Sequence, residues 1–153
     1  MTGRLLGIAR RAAPRAPNVA VAQARVGLGT GVAGNFRGTL RPGKSNRRQV
    51  SILLASDWAA ATAELGVTLD WALRRCDLFV DGIYLPRARG YRVRIGGAMV
   101  EVTGECDPCS RMERITQGLE AALMPDWRGG RLARVVGEGE IRVGDAVAIE
   151  EGL

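Results

Sequence analysis

Cys109 closes the run Gly104-Glu-Cys-Asp-Pro-Cys109-Ser-Arg-Met112, and the residues around it are of the kind that turn a thiol into a thiolate. Thiolates, not thiols, attack electrophiles and bind soft metals. Val100 and Val102 alternate with Glu101 and Thr103 as a half-buried strand does, and Asp107-Pro108 reads as an N-cap followed by proline at the first helical position. That spacing predicts Cys109 in the first turn of a helix, where unpaired backbone N–H groups favour negative charge and Arg111 and Arg114 add to the effect. Asp107 opposes it, and is the nearest group able to orient a substrate or cofactor at the thiol. Cys106 and Cys109 also form a C-x-x-C, which could be a redox disulfide or half of a zinc site, although Cys76 alone cannot supply the other half. A buried structural cysteine is the plainer alternative.

A second candidate precedes it. Gly27-Leu-Gly-Thr-Gly-Val-Ala-Gly-Asn-Phe-Arg-Gly38, followed by Arg41, Lys44, Arg47 and Arg48, can bring backbone N–H and guanidinium groups to a phosphate. It lacks the Gly-Lys-Ser/Thr spacing of a Walker loop and leads into a strand, so a surface loop with turn glycines competes equally. Arg128-Gly-Gly-Arg131 either places an arginine at a cofactor or starts a strand, and both readings stand.

Composition narrows the chemistry. The chain has no histidine, which removes the usual base of a hydrolase triad and the commonest zinc ligand. Among 22 basic residues only Lys44 is lysine, so Schiff-base chemistry has one unpromising position. The net charge of +6 is carried by arginine, whose planar fork suits phosphate and carboxylate. A basic nucleic-acid-binding barrel competes, but Trp58, Trp71 and Trp127 among so few aromatic residues read as packing rather than a base-stacking platform. Three cysteines, an odd number, suit a reduced compartment, and no apolar run is long enough for a membrane span or a leader, so a cytoplasmic protein is expected.

The elements that must position these groups are mostly strands. Helical spacing is confined to residues 57–65 and 109–123. Alternating runs mark strands near residues 4–9, 19–26, 48–55, 79–80, 91–95, 98–103, 132–136 and 141–149, with a tight turn at Gly96-Gly97 feeding the strand that leads to Cys109 and a turn or bulge at residues 143–146. With 21 glycines among them, one mainly β domain over residues 1–153, a bent barrel with a few short helices, is the expected fold.

Taken in order, the blocks Gly31–Arg37, Arg47–Leu54, Asp77–Leu85, Gly104–Met112, Arg128–Val136 and Gly139–Asp145 resemble the MOSC domain, named after the C-terminal domain of molybdenum cofactor sulfurases. The resemblance covers nearly the whole chain. It implies a β-barrel-like fold that binds the molybdenum cofactor, a pterin (molybdopterin) carrying a phosphate, with Cys109 as the metal ligand. It further implies that Asn35, Arg37 and Arg47 hold the phosphate or pterin and that Asp77 and Asp107 orient cofactor or substrate. Members of the family reduce N-hydroxylated compounds with electrons from a partner reductase, or carry sulfur, for which a cysteine desulfurase-type protein is the fitting partner. A persulfide carrier without metal is the alternative. This chain has neither a ferredoxin cysteine set nor a flavin fingerprint, so the electrons would come from a partner. It departs from the common pattern twice: Gly34-Asn35 stands where many members have Gly-Asp, and Cys76-Asp77 where many have Glu-Asn.

Overall fold

The computed structural model describes residues 2–150 and is mainly β. Its strands are β1 (Gly3–Arg10), β2 (Val19–Val21), β3 (Gln23–Gly27), β4 (Gly31–Val32), β5 (Val50–Leu54), β6 (Leu78–Asp81), β7 (Arg92–Ile95), β8 (Ala98–Glu105), β9 (Arg131–Gly137), β10 (Gly139–Arg142) and β11 (Ala146–Ile149); its helices are α1 (Ala55–Leu65), α2 (Ser110–Ile115) and α3 (Leu119–Leu123). Seven strands close on themselves in the order β1-β11-β7-β8-β9-β5-β6 and back to β1. Only β5 and β6 run parallel, and α1 makes the crossover between them. Closure gives every barrel strand a partner on each side. β1 serves three partners because it is long: β6 lies along one side, and β11 and β2 share the other, at Gly3-Arg4 and Ile8–Arg10. β3, β4 and β10 form a small second sheet.

Alternation sets the core. In β8 every second residue from Ala98 to Val102 points inward, in β1 the alternation up to Leu5 is shifted by a bulge that brings Ile8 inward, and Leu5, Ile8, Ile52, Val80, Val93, Val100, Val102, Val135 and Val147 fill the barrel. Burying each such side chain contributes roughly 1.5–3 kcal/mol. A second cluster lies outside the wall, where Trp58 and Ala61 of α1, Met112 of α2 and Leu119 and Leu123 of α3 cover Leu53 and Leu132. Cys76 and Cys106 belong to this second cluster, at the end of the barrel where β6 begins and β8 finishes.

The expected helix over residues 109–123 is two helices. Gly118 holds φ +89 between them and its N–H donates to the Glu113 carboxylate, so the chain turns, α3 packs on α1 and α2 on α3, and their apolar residues join one cluster. The turn expected at residues 143–146 within the run 141–149 is present at Gly144, and the strands on either side have separate partners, β10 against β3 and β11 against β7 and β1. The hairpin at Gly96-Gly97 is present as read, joining β7 to β8. Among the described residues no helix is long and apolar enough to cross a membrane.

Candidate functional site: a cavity of arginines and cysteines

All three cysteines reach one cavity of ≈ 160 Å³ at the barrel end, and six arginines line it with them: Arg11, Arg37, Arg48, Arg74, Arg75 and Arg111. Its only carboxylate is Asp107. Cys109 is exposed at this wall while Cys76 and Cys106 are buried. Cys109 is the N-cap of α2 (φ −125°, ψ 175°), one residue before the first turn in which the sequence places it; Asp107-Pro108 is lead-in to the helix. A six-residue helix carries little dipole, so the positive field at Cys109 comes from guanidinium groups rather than from helix geometry.

The cavity is built from the turn that precedes β6. Asp70 caps the 3₁₀ turn Trp71–Arg74 by accepting from the Ala72 N–H. That turn sends Arg74 inward, and Arg75, in a left-handed conformation (φ +71), reverses outward to the carbonyls of Pro14 and Ala16. Arg74 is 6 % exposed. Its Nε donates to the Gly129 carbonyl at 3.0 Å, and its Nη2 donates to the Cys106 carbonyl at 3.0 Å, the Asp107 carbonyl at 3.3 Å and the Cys106 sulfur at 3.4 Å. Among the described residues no carboxylate pairs with it. Gly129 is what lets this happen, since a Cβ there would lie 2.4 Å from the Cys106 carbonyl oxygen and 3.2 Å from Arg74 Nη2.

The two buried thiols flank one guanidinium: Cys76 Sγ donates to the Gly129 carbonyl at 4.0 Å, the same oxygen that accepts from Arg74 Nε, and Cys106 Sγ accepts from Arg74 Nη2. Their mutual influence, with Arg74 beside them, holds Cys106 below the ordinary thiol range and pushes Cys76 up. No group of three or more His, Cys, Asp or Glu among the described residues is placed to hold a metal ion by itself. A metal at Cys109 therefore takes its other ligands from elsewhere.

Asn35 and Asp77 do not line the cavity. Both are 4 % exposed, and Asn35 Nδ2 donates to Asp77 Oδ1 at 2.7 Å. Asn35 Oδ1 accepts from the Arg11 N–H at 3.2 Å, and Asp77 Oδ2 from the Ser51 N–H at 3.0 Å; Arg11 and Ser51 are cavity residues, so the pair stands directly behind the wall. Burial pushes the Asp77 carboxyl up to about 7, against the pull of the Ser51 N–H and of Arg11. The Arg11 guanidinium gives Nη1 to the Arg75 carbonyl and lies over the Phe36 ring, while its buried Nε has no acceptor among the described residues. Burial, with Arg75 nearby, brings Arg11 down to about 10.

Arg37 and Arg48 are shared with an adjoining cavity of ≈ 310 Å³ whose other basic residues are Arg41, Lys44 and Arg47, and none of its lining residues is acidic. Arg47 thus sits with the second cavity and not with the cysteines. The glycine-rich segment contributes only Phe36 and Arg37 to these walls; its earlier residues form the turn between β3 and β4. Gln49 fastens it, its Nε2 donating to the carbonyls of Leu28 and Gly38 and its Oε1 accepting from the Val135 N–H. In Arg128-Gly-Gly-Arg131 the arginines are structural. Arg128 pairs with Glu64, and Arg131, 1 % exposed, binds Asp57 at 3.0 Å and the carbonyls of Trp127 and Leu85. Sequence reasoning missed Arg11, Arg74, Arg75 and Gln49, which sit in no recognisable motif.

Among solved structures, the fold is similar to the YuaD protein from Bacillus subtilis (TM-score 0.81, 19% identity, covering 96% of this chain and 94% of that one). It is also similar to YiiM from Escherichia coli (TM-score 0.67, 14% identity, 98% and 71%) and to YiiM from Geobacillus stearothermophilus (TM-score 0.68, 17% identity, 97% and 73%). No curated protein matches its sequence. The family model of the MOSC domain matches residues 36–148, the stretch that runs from Phe36 through both cavities and Cys109 into β11, and the chain belongs to the MOSC domain family.

Proposed function

We propose that this chain binds the molybdenum cofactor across the two adjoining cavities, with the Cys109 thiolate as metal ligand, for reductive or sulfur-transfer chemistry with a partner protein. The observation that carries the reading is the wall itself: six guanidinium groups and three thiols around one carboxylate, with the buried Nε–H of Arg11 lacking an acceptor among the described residues. An anion of several charges would supply what that wall lacks.

The residues fit such a group. Arg37 and Arg48, common to both cavities, would meet a phosphate, and Arg47, Arg41 and Lys44 would neutralise the remainder from the second cavity. Arg11 would donate its free Nε–H, held in place by Phe36 and by Asn35 behind it. Asp77 orients the Ser51 N–H rather than touching the ligand. Asp107, exposed beside Cys109, is placed to accept a proton from, or orient, a substrate at the mouth. When bound, the cofactor supplies two-electron redox chemistry at a metal that already carries sulfur. Cys109 adds one soft donor and needs no histidine.

The test is the molybdenum and pterin content of protein purified without oxygen from a host that makes the cofactor. Near-stoichiometric metal in the wild type and its loss in Cys109→Ser is the expected outcome. No metal in either, with the mass of an added sulfur on Cys109, would overturn it in favour of a sulfur carrier.

A further inference from the structure

We propose that Cys76 and Cys106, fixed on Arg74, form a second reaction centre: a dithiol that takes sulfane sulfur from a small polysulfide anion onto Cys106 and discharges it as sulfide by closing a Cys76–Cys106 disulfide. It shares the cavity with the cofactor reading and concerns the cofactor-free chain, but neither thiol is the one assigned to the metal.

Three observations carry it. Arg74 is a buried guanidinium whose hydrogen bonds go to three carbonyls and to the Cys106 sulfur, with no carboxylate partner among the described residues. A lone buried cation is costly, and the sulfur 3.4 Å away is the anion within reach. Cys76 Sγ points to the Gly129 carbonyl at 4.0 Å, the oxygen that also accepts from Arg74 Nε, so a resolving thiol stands at the same guanidinium. Finally, both cysteines line a cavity of ≈ 160 Å³ walled by six arginines. Such an opening admits small anions and turns away proteins. Among soft electrophiles it favours a polysulfide anion over neutral peroxide.

Atoms and electrons balance at each step. The Cys106 thiolate attacks the protonated terminal sulfur of a hydropolysulfide anion, the adjacent S–S bond breaks, and its electron pair leaves with the shortened polysulfide dianion, giving Cys106–S–SH. Cys76 sulfur then attacks Cys106 Sγ; hydrosulfide leaves and takes the Cys76 proton. Two thiols are oxidised to one disulfide, and the transferred sulfur is reduced to sulfide. An external dithiol resets the pair.

Reduced protein would be treated anaerobically with sodium tetrasulfide, alkylated, and mapped by mass spectrometry without reduction, with hydrogen peroxide as the parallel reagent. The expected wild-type product has lost the mass of two hydrogens and carries a Cys76–Cys106 linkage, and Cys109→Ser gives the same. Cys76→Ser should stop halfway, trapping an added sulfur on Cys106. Arg74→Gln should slow the reaction near neutral pH by about tenfold, with partial recovery in Arg74→Lys. The proposal is overturned if sulfur appears only on Cys109 while Cys76 and Cys106 are alkylated, if the linkage found is Cys106–Cys109, if peroxide but not tetrasulfide closes the pair, or if Arg74→Gln reacts at the wild-type rate. The wild-type map decides the matter even where a variant does not fold.

Discussion

Exchanging Asn35 and Asp77, by Asn35→Asp together with Asp77→Asn, should leave stability within about 1 kcal/mol of wild type, while either change alone is costly. Two of the three positions where this chain departs from the common family pattern, Asn35 and Asp77, are the two ends of one buried hydrogen bond of 2.7 Å. Asn35→Asp alone sets a second carboxyl against Asp77 Oδ1 in a site where both residues are 4 % exposed. One of the two must then stay protonated. Asp77, pushed up to about 7, takes that proton near pH 7 at little further cost, so the loss is that of burying a second carboxyl in place of an amide donor, about 1–3 kcal/mol. Asp77→Asn alone puts an amide N–H₂ where either the Asn35 amide or the Ser51 N–H needs an acceptor, about 1–3 kcal/mol for an unsatisfied buried donor. In the double variant the carboxylate now at position 35 would accept from the Arg11 N–H and from the new amide at position 77, and that amide's oxygen would accept from Ser51, so every donor is met. The coupling is therefore several kcal/mol and favourable. Urea unfolding of the four proteins at pH 7 and at pH 5 reads it. Wild type, with Asp77 pushed up to about 7, takes up a proton on folding between pH 4 and 7 just as the acidic single variant does, so both gain stability as pH falls from 7 to 5 and the coupling should persist at both. Additive losses at either pH would refute the pairing.

Other consequences are quicker to state. Gly129→Ala forces a methyl to within 2.4 Å of the Cys106 carbonyl oxygen and crowds Arg74, so it should cost at least about 2 kcal/mol and expose Cys106 to rapid alkylation; a thiol that stays slow would count against the packing described. Gln49→Ala removes three hydrogen bonds and strands the Val135 N–H, which predicts a loss of about 2–3 kcal/mol by urea unfolding and faster proteolysis within residues 28–48. Arg131→Met should lower stability by about 2–4 kcal/mol through the orphaned Asp57 and Leu85 carbonyl, yet leave molybdenum occupancy per folded chain unchanged, because its guanidinium faces α1 and not the cavity. Loss of metal from folded Arg131→Met would place that arginine at the cofactor after all.

The barrel was legible because its strands alternate. Period-two runs in β1, β8 and β9 and the glycine pair between β7 and β8 are local signals that mark the strands, although bulges after Leu5 and Val102 shift the alternation in β1 and β8. Closure was not legible. Nothing near β11 says that Val147 pairs with Gly3 on one side and Ile95 on the other; that is a meeting of chain ends settled by packing. The broken helix after Cys109 misled for a related reason. Met112, Ile115, Leu119 and Leu123 keep helical spacing across Gly118, but a straight helix would carry α3 away from α1, and the buried contacts of Leu119 and Leu123 outweigh one continuous ladder.

The site divides in the same way between what is local and what is assembled. Cys109 was readable from its own neighbours, although its place one residue before α2 moves the source of positive field from the helix end to the arginines. Those arginines come from five separate segments, and no spacing links Arg11 to Arg74 or Arg111. What the motif Arg128-Gly-Gly-Arg131 does was hidden by its most conspicuous residues. Its arginines bind Glu64 and Asp57, whereas Gly129 and Gly130, the residues without side chains, let backbone carbonyls approach Arg74 and the Cys106 N–H. A charged residue in a motif suggests a ligand, yet in a closed barrel the same charge can be met by the protein's own carboxylates. The distinction rests on carboxylates: Arg131 has Asp57, although its Nε–H, like that of Arg11, lacks an acceptor among the described residues, whereas no carboxylate among them pairs with Arg74. On the proposed reading it is therefore the cavity lined with cysteines, and not the glycine-flanked pair, that would take an anion.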